Sequence, residues 1–269
     1  MAELMAEFMA GINMSDQIKL QVIKDELKAA TYKELPYFIE KYESDERNSV
    51  SELVLKAKKK IDEYEKELLR TENMKIYERK YSDYEFICGI DEVGRGPLAG
   101  PVVAGAVILP KDCDILYIND SKQLSEKKRE ELYDLIMEKA ISVGLGYVSP
   151  ERIDEINILQ ATYEAMRQAV SKLDPQPTLL LNDAVKIPGI DIYQVPIIKG
   201  DAKSISIAAA SIVAKVTRDR LMVQYDEVFP EYGFKSNKGY GAAMHIEALK
   251  KYGPTPIHRK SFIGNFIGE

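Results

Sequence analysis

The order of strand-like and helical segments after residue 84 constrains the fold more than any other feature of the sequence. Three short runs of β-branched and small residues follow one another closely, and two more come later, each bounded by Gly, Pro or polar residues. Helical patterns cover residues 125–140, 150–173 and 204–227, and shorter helical pieces follow. This order predicts a mixed α/β sheet flanked by helices, with a helical C-terminal portion. The five predicted strands lie within "YEFICGID", "GPVVAGAVILP", "AISVGLGYVSP", "PTLLLNDA" and "DIYQVPIIKGD".

The first 80 residues carry helical patterns and no strand signal. Ser15 can cap a helix that places Leu20, Ile23 and Leu27 on one face, and "SELVLKAKKKIDEYEKELLRTENM" continues the helical pattern. We interpret the lysine run in this segment as a solvated helix face rather than a nucleic-acid patch. We therefore expect a helical N-terminal extension over residues 1–80 and an α/β domain with C-terminal helices over residues 81–269.

The composition is that of an ordinary globular protein and excludes several classes. No apolar run reaches the roughly 20 residues that a membrane span requires. The start of the chain, "MAELMAEFMAGINMSDQ", has acids and no early Lys or Arg, which is not typical of a secretory signal, so we expect a cytoplasmic protein. Two Cys and two His are too few and too scattered to favour a structural zinc site. Cys88 lies in an apolar run and is expected to be a small core residue.

The charge is unevenly distributed along the chain. The whole chain has a net charge of −6, whereas residues 81–185 carry 10 basic and 18 acidic side chains and residues 186–269 carry 12 and 8. An acidic site beside a basic flank suits a metal site that acts on a polyanion. A chance fluctuation of a few charges explains the same pattern, and both interpretations stay open at this point.

Four acidic residues lie at the ends of predicted strands. Asp91 and Glu92 follow the apolar run of the first strand, Asp183 follows three leucines, and Asp201 lies where a later strand passes into a helix. Ligand sites in α/β sheets gather at such strand ends. Carboxylates brought together repel one another unless hard divalent cations such as Mg²⁺ or Mn²⁺ neutralise them. A single Asp at such a position more often caps a turn, and Asp201 could simply cap the helix near Ser204.

The segment "GRGPLAG" follows the first strand. A dinucleotide-binding fingerprint would need G-x-G-x-x-G/A at the start of a helix, whereas here Pro97 and Pro101 flank a β-like run. We interpret the segment as a loop that a ligand can approach closely. Arg95 could bind a phosphate, and the backbone of the loop could contact a sugar 2′-hydroxyl, the group that separates RNA from DNA.

Six segments, in this order, resemble the motifs of ribonuclease HII, the type 2 ribonuclease H. The resemblance covers roughly residues 84–264 and implies a ribonuclease H-like fold. It also implies an endonuclease that requires Mn²⁺ or Mg²⁺ and cleaves RNA in RNA–DNA hybrids and at single ribonucleotides embedded in duplex DNA, leaving 3′-hydroxyl and 5′-phosphate ends. A monomer without membrane partners is expected. The segments are "GIDEVGRGPLAGPVVAGAVIL", "NDSKQLS", "LLLND", "IIKGDAKSISIAAASIVAKVTRDRLM", "KSNKGYGAAMH" and "PIHRKSF".

The resemblance assigns roles to two groups of residues. It implies that the four acids hold two metal ions and are catalytic: Asp91, Glu92, Asp183 and Asp201. It further implies that a second set contacts substrate, with the GRG residues at the 2′-hydroxyl and phosphate, the tyrosine stacked on the next deoxyribose, and the lysine near a phosphate: Gly94, Arg95, Gly96, Tyr240 and Lys122. Without the resemblance, Tyr240 would be taken for a packing aromatic, and Lys122 is nearly as compatible with a plain surface lysine.

The sequence departs from the family pattern at Ala184, where many members have Gly, and we expect no effect on metal binding. His245 and His258 are expected to be structural or phosphate-facing rather than catalytic, because a two-metal mechanism needs no general base. Two other classes stay open, a non-catalytic nucleic-acid-binding module and a nucleotide-binding enzyme. A chelator would distinguish the first from an enzyme, and nucleotide titration would test the second.

Overall fold

A computed structural model describes residues 18–267. The chain divides into two compact units, one ending at Leu69 and the other beginning at Arg70. The predicted division at residue 80 stays a prediction. Ser15 and the N-terminal stretch "MAELMAEFMAGINMSDQ" lie outside the described residues. Within the described range, no helix is long and apolar enough to cross a membrane.

The N-terminal unit is helical. Its helices are α1 (Leu20–Ala29), α2 (Leu35–Tyr42) and α3 (Asn48–Asn73), the last of which continues past Leu69. The predicted apolar face of α1 is confirmed, because Ile23 and Leu27 are buried. They pack with apolar side chains of α2 and α3, and the lysine run of α3 is exposed as expected. The remaining buried members of this cluster are Leu35, Phe38, Tyr42, Val50, Leu53, Val54 and Ala57.

The second unit begins its own elements with the short helix α4 (Ile76–Lys80) and contains one five-stranded sheet. The strands occur in the order β3-β2-β1-β4-β5, with β1–β2 and β2–β3 antiparallel and β1–β4 and β4–β5 parallel. The mixed sheet and all five predicted strands are confirmed. The strands are β1 (Ile87–Val93), β2 (Val102–Ile108), β3 (Ser142–Val148), β4 (Leu179–Asp183) and β5 (Tyr193–Ile197).

Helices cover both faces of the sheet. One face packs against α6 (Pro150–Ser171), and the other packs against α7 (Ile205–Val228) and α5 (Glu126–Lys139). The approach of α7 is so close that a Cβ on Gly89 would lie 2.0 Å from the backbone of Ser206. Small residues therefore allow the long, alanine-rich helix to lie directly on β1, beside the end of the strand that carries the acidic pair.

Helix α6 differs from the single helix predicted over 150–173. Asn157 has φ 65° and ψ 164°, which breaks the helix into two segments. Its side-chain Oδ1 accepts hydrogen bonds from the amides of Leu159 and Gln160 and so caps the second segment. At this point the side chain of Asn157 thus takes the place of the main-chain carbonyls that would accept these hydrogen bonds in a regular helix.

The C-terminal portion is helical, as predicted, with α8 (Phe234–Asn237), α9 (Ala243–Tyr252) and α10 (Lys260–Ile267). These helices share a buried apolar cluster with Leu98 and Ala99, which belong to the connection between β1 and β2. The C-terminal portion therefore lies against the segment that follows the acidic pair.

Candidate active site

The acidic residues of β1 and β4 lie at adjacent strand ends. These two parallel strands pair as far as Ile90 and Asn182, so Asp91 and Asp183 follow the last paired residues on neighbouring strands. Asp91 is only 6 % exposed, and its Oδ1 accepts a hydrogen bond of 2.8 Å from the amide of Glu92. The sheet topology alone therefore brings two of the predicted ligands side by side.

Asp201 reaches the same place through a turn. Asp183 Oδ1 accepts a hydrogen bond of 2.7 Å from the amide of Gly200, which joins the end of β4 to the 3-10 turn Gly200–Ala202. Asp201 lies in this turn and is 9 % exposed. Helix α7 is capped instead by Ser204, whose Oγ accepts from the amide of Ile207 at 3.2 Å. Asp201 is thus not the cap of α7, the alternative considered for it from the sequence.

The pKa values of the carboxyl groups reflect their proximity. Burial, followed by the charges of Glu92 and Asp183, raises the pKa of Asp91 well above its ordinary range. Burial is also the first cause of the raised pKa of Glu92, and Asp183 adds to it. The pKa of Asp201 is raised by burial, then by Asp120 and Asp183. The charge of Asp183 therefore acts on each of the three other acids.

Two cations moderate this negative charge. Arg95 Nη1 lies 3.2 Å from Glu92 Oε1. Burial lowers the pKa of Lys122, but the nearby carboxylates outweigh burial, so that the pKa is raised overall. Lys122 therefore faces the acidic cluster rather than open solvent alone. The carboxylates that act on it are Asp91, Asp120, Asp201 and Asp183.

The four acids fit hard divalent cations, because every candidate ligand atom is a carboxylate oxygen. The raised pKa values of Asp91, Glu92 and Asp201 also indicate that added positive charge is favoured at this cluster. Within residues 18–267, no group of three or more His, Cys, Asp or Glu side chains is arranged so that it could hold a metal ion. An ion in this site would thus use one or two carboxylates together with water or substrate oxygens, which is the usual mode of Mg²⁺ binding.

The glycine–arginine loop, which we define as residues 94–101, lies next to Tyr240. It leads into β2 and not into a helix, so the dinucleotide-binding interpretation loses its structural basis. A Cβ on Gly96 would lie 3.9 Å from Tyr240 Cε1, which places the tyrosine ring beside this glycine. Tyr240 is 43 % exposed, so its ring is not simply packing in the C-terminal core.

The two histidines are buried and bonded to each other. His245 Nδ1 donates to the carbonyl of Tyr240 at 2.8 Å, and His258 Nδ1 accepts from the amide of Thr255 at 2.9 Å. His258 Nε2 must then carry the proton in the 3.0 Å contact with His245 Nε2. Burial lowers the pKa of both rings, that of His258 to about 4. Of the two predicted alternatives, the structural one is observed, and this neutral pair fixes the backbone of Tyr240.

Sequence reasoning missed three residues around the site. Asp120 acts on Asp201 and Lys122, and its Oδ1 accepts from the amide of Lys122 at 2.9 Å. Its signal lies in "NDSKQLS", from which the sequence predicts only Lys122 as a site residue. Arg218 and Arg259 bind the backbone of the glycine–arginine loop. Both lie inside quoted segments of the resemblance, but the neighbouring residues give no sign that either arginine is buried against a loop.

The chain is similar to known ribonucleases of one family. The family model described as Ribonuclease HII matches residues 88–265, and a second model, Ribonuclease HII N-terminal domain, matches residues 19–82. Ribonuclease HII of Lachnoclostridium phytofermentans is 70 % identical over 226 residues, which cover 84 % of this chain and 89 % of that protein. Ribonuclease HII of Bacillus subtilis is 52 % identical over 242 residues, covering 89 % and 94 %.

Solved structures share the fold. The ribonuclease H2 of Pyrococcus horikoshii OT3 has a TM-score of 0.57 and 28 % identity, covering 68 % of this chain and 100 % of that one. An Archaeoglobus fulgidus RNase HII, solved in complex with PCNA, has a TM-score of 0.53 and 28 % identity, covering 65 % and 94 %. Together with the five-stranded mixed sheet, these matches establish that the chain belongs to the ribonuclease HII family, a group of nucleases of the ribonuclease H type.

Proposed function

We propose that this chain cleaves the RNA strand of RNA–DNA hybrids and incises duplex DNA on the 5′ side of an embedded ribonucleotide, leaving 3′-hydroxyl and 5′-phosphate ends. Ribonuclease H activity on hybrids follows from the family, and the finer specificity is our inference. The observation that carries it is the acidic cluster around Asp183 beside a loop in which Arg95 and Gly96 are exposed. A cytoplasmic location and a monomeric state stay predictions.

We infer that Asp91, Glu92, Asp183 and Asp201 hold two Mg²⁺ or Mn²⁺ ions. Such ions, when bound, activate a water molecule and stabilise the leaving oxygen of a phosphodiester. The oxygen-only donor set supports this assignment, and so does the mutual repulsion of the carboxylates. A related enzyme, Bst-RNase HIII, was solved in complex with Mn²⁺. The hydrogen bond from Gly200 orients Asp183 and leaves its second oxygen available for a ligand.

The substrate backbone would be held by the residues around this cluster. Lys122 and Arg95 carry positive charge beside the carboxylates and can contact the phosphates on either side of the scissile bond. The backbone of Gly94, Arg95 and Gly96 would contact the 2′-hydroxyl, because glycine permits close approach. The exposed ring of Tyr240 would stack on the following deoxyribose.

The test is incubation with a DNA duplex that contains one ribonucleotide, in Mg²⁺ or Mn²⁺, followed by mapping of the nick. We expect a single cut on the 5′ side of the ribonucleotide, no cut in the all-DNA duplex, and no reaction in EDTA. Asp183→Asn should abolish cleavage and retain binding. Asp191→Asn, which changes an exposed acid between β4 and β5, is the matched control and should cleave normally. Metal-independent binding without cleavage would favour the non-catalytic alternative.

A further inference from the structure

Two guanidinium groups are completely buried next to the candidate site. Arg218, on α7, and Arg259, just before α10, are both 0 % exposed. A buried charge is costly unless other groups satisfy it. Within residues 18–267 neither arginine forms an ion pair with a carboxylate; both donate to main-chain carbonyls instead. The carbonyls belong to Gly94, Arg95, Ala99, Gly100, Pro101 and Lys238.

Arg259 closes the glycine–arginine loop. Its Nη2 donates to the carbonyl of Gly94 at 2.6 Å and to that of Gly100 at 2.7 Å, and its Nη1 donates to the carbonyl of Arg95 at 3.0 Å. One planar group therefore joins the two ends of the loop. Burial, and then the charge of Arg218, lower the pKa of Arg259 to about 9, so the group still carries its proton at neutral pH.

Arg218 joins this loop to the turn that carries Tyr240. Its Nε donates to the carbonyl of Pro101 at 2.9 Å, its Nη2 to that of Ala99 at 3.0 Å, and its Nη1 to that of Lys238 at 2.9 Å. The amide of Leu98 also donates to the carbonyl of Gly239 at 2.8 Å. The two segments that carry the proposed substrate contacts are thus fixed to one another.

The inward carbonyls determine where the loop amides point. In a trans peptide the carbonyl of one residue and the amide of the next point in opposite directions. Because the carbonyls of Gly94 and Arg95 point to Arg259, the amides of Arg95 and Gly96 point away from it. Within the described part of the chain, these two amides donate no hydrogen bond. Successive free amides form a concavity that accepts an anionic or hydroxyl oxygen.

We propose that Arg218 and Arg259 are positioning residues, which hold the amides of Arg95 and Gly96 outward at a fixed distance from the ring of Tyr240 and thereby set the selectivity for a single ribonucleotide. The proposal rests on the proposed function. Lysine cannot replace either arginine, because a single ammonium group lacks the planar fork that reaches several carbonyls at once. The space is also tight, since a Cβ on Gly94 would lie 2.3 Å from Arg218 Nε.

The test compares wild type with Arg218→Lys and Arg259→Lys. The measured quantity is the ratio of kcat/KM for a duplex with one ribonucleotide to kcat/KM for a continuous RNA–DNA hybrid. This ratio does not depend on the fraction of active enzyme, so partial misfolding does not change it. The single-ribonucleotide duplex offers only one 2′-hydroxyl and needs the correct loop geometry, whereas the hybrid offers many. We expect the ratio to fall at least tenfold in both variants.

Arg220→Lys is the matched control, because Arg220 lies on the same helix but is half-exposed and paired with Glu130. Its ratio should stay within twofold of wild type. If Arg218→Lys and Arg259→Lys are folded by circular dichroism and also keep the wild-type ratio, the inference is overturned while the proposed function stands. If wild type does not cut at the single ribonucleotide, the proposed function fails and the inference fails with it.

A second measurement needs no variant and covers the case in which the lysine variants do not fold. Amide hydrogen exchange of wild type is followed in EDTA, alone and with each duplex. Arg95 and Gly96 should exchange rapidly in the free protein and become protected by the ribonucleotide-containing duplex more than by the all-DNA duplex. Equal protection by the two duplexes, or slow exchange in the free protein, would contradict the proposed orientation of the amides.

Discussion

Asp183 has a dual effect at the residue scale. It is held by the amide of Gly200, and it raises the pKa of the three other acids of the cluster. The same charge that suits a metal site therefore destabilises the folded protein when no cation is bound. Groups arranged for function often lower stability in this way.

Asp183→Asn should consequently stabilise the protein while it abolishes cleavage. The amide oxygen can still accept from Gly200, but one negative charge is gone, so we expect a gain of about 1 kcal/mol in the free energy of unfolding in EDTA. Urea unfolding in EDTA and in Mg²⁺ measures this. Mg²⁺ should stabilise wild type more than the variant, because a bound ligand stabilises the state that binds it. A loss of stability in EDTA would show that repulsion is not the dominant effect.

The buried histidine pair makes stability depend on pH. The folded-state pKa of His258 is lowered to about 4 by burial and by His245. Between pH 6.5 and 4 the unfolded chain binds a proton there that the folded chain does not, so this contribution is complete above pH 6.5 and is lost as the pH falls. The free energy of unfolding should fall by up to about 1.4 kcal/mol per pH unit from this group.

His258→Gln isolates this contribution, since other titrating groups are common to both proteins. The variant should be less stable at pH 7 and should show a shallower decline between pH 6.5 and 4 in urea unfolding. Parallel declines in the two proteins would mean that His258 does not remain neutral in the fold.

At the element scale, the segment that precedes the sheet holds the start of α7. The amide of Ile205 donates to the carbonyl of Met74 at 2.9 Å, and Glu78 Oε1 accepts from Ser204 Oγ at 2.6 Å and from the amide of Ser206 at 3.1 Å. Helix α4 thus holds the residues that directly follow the turn containing Asp201. Burial raises the pKa of Glu78, which shows how far this carboxyl group is removed from water.

Glu78→Ala should lower the free energy of unfolding by about 1–3 kcal/mol, because it leaves buried donors without an acceptor. It should also reduce cleavage more than binding, since Asp201 loses support. Glu85→Ala, at an exposed position nearby, should change stability by less than about 0.5 kcal/mol. Equal stability of the two variants would exclude the supporting role of Glu78.

The elements were largely predictable from the sequence, and the reasons are local. Each strand is an apolar run with turn residues at its ends, and the long helices lie in longer segments that lack such turn residues. The kink at Asn157 was not predictable, because a side-chain cap inside a helical pattern leaves no periodic signal. Asp91 and Asp183 could be named as candidates because each follows an apolar run. Arg218 and Arg259 were not, because their burial depends on contacts with carbonyls more than 100 residues away along the chain.

At the scale of the whole molecule, a chain with net charge −6 is proposed to bind a polyanion. The cations that would contact phosphate, Arg95 and Lys122, are each adjacent to carboxylates. Attraction of the protein to the sugar–phosphate backbone of the nucleic acid therefore depends on a few local contacts and on bound metal. It does not depend on a generally positive protein surface.

The Kd for a ribonucleotide-containing duplex should accordingly rise with salt by a moderate amount. Two phosphate contacts predict a rise of about tenfold between 50 and 200 mM NaCl. Arg95→Gln should reduce the slope of log Kd against log salt concentration by about one. Lys127→Gln, at an exposed position on α5, is the control and should keep the wild-type slope. Fluorescence anisotropy with a labelled duplex measures both, and identical slopes for the two variants would exclude a phosphate contact at Arg95.

Both cysteines of the chain, Cys88 and Cys113, are buried, the first within the sheet. A maleimide dye therefore has little access to the two native thiols in the folded protein. A cysteine introduced at an exposed position such as Gly241, next to Tyr240, would be labelled selectively without any prior removal of native thiols. A fluorophore placed there could report, in real time, the arrival and departure of a duplex at the proposed stacking residue.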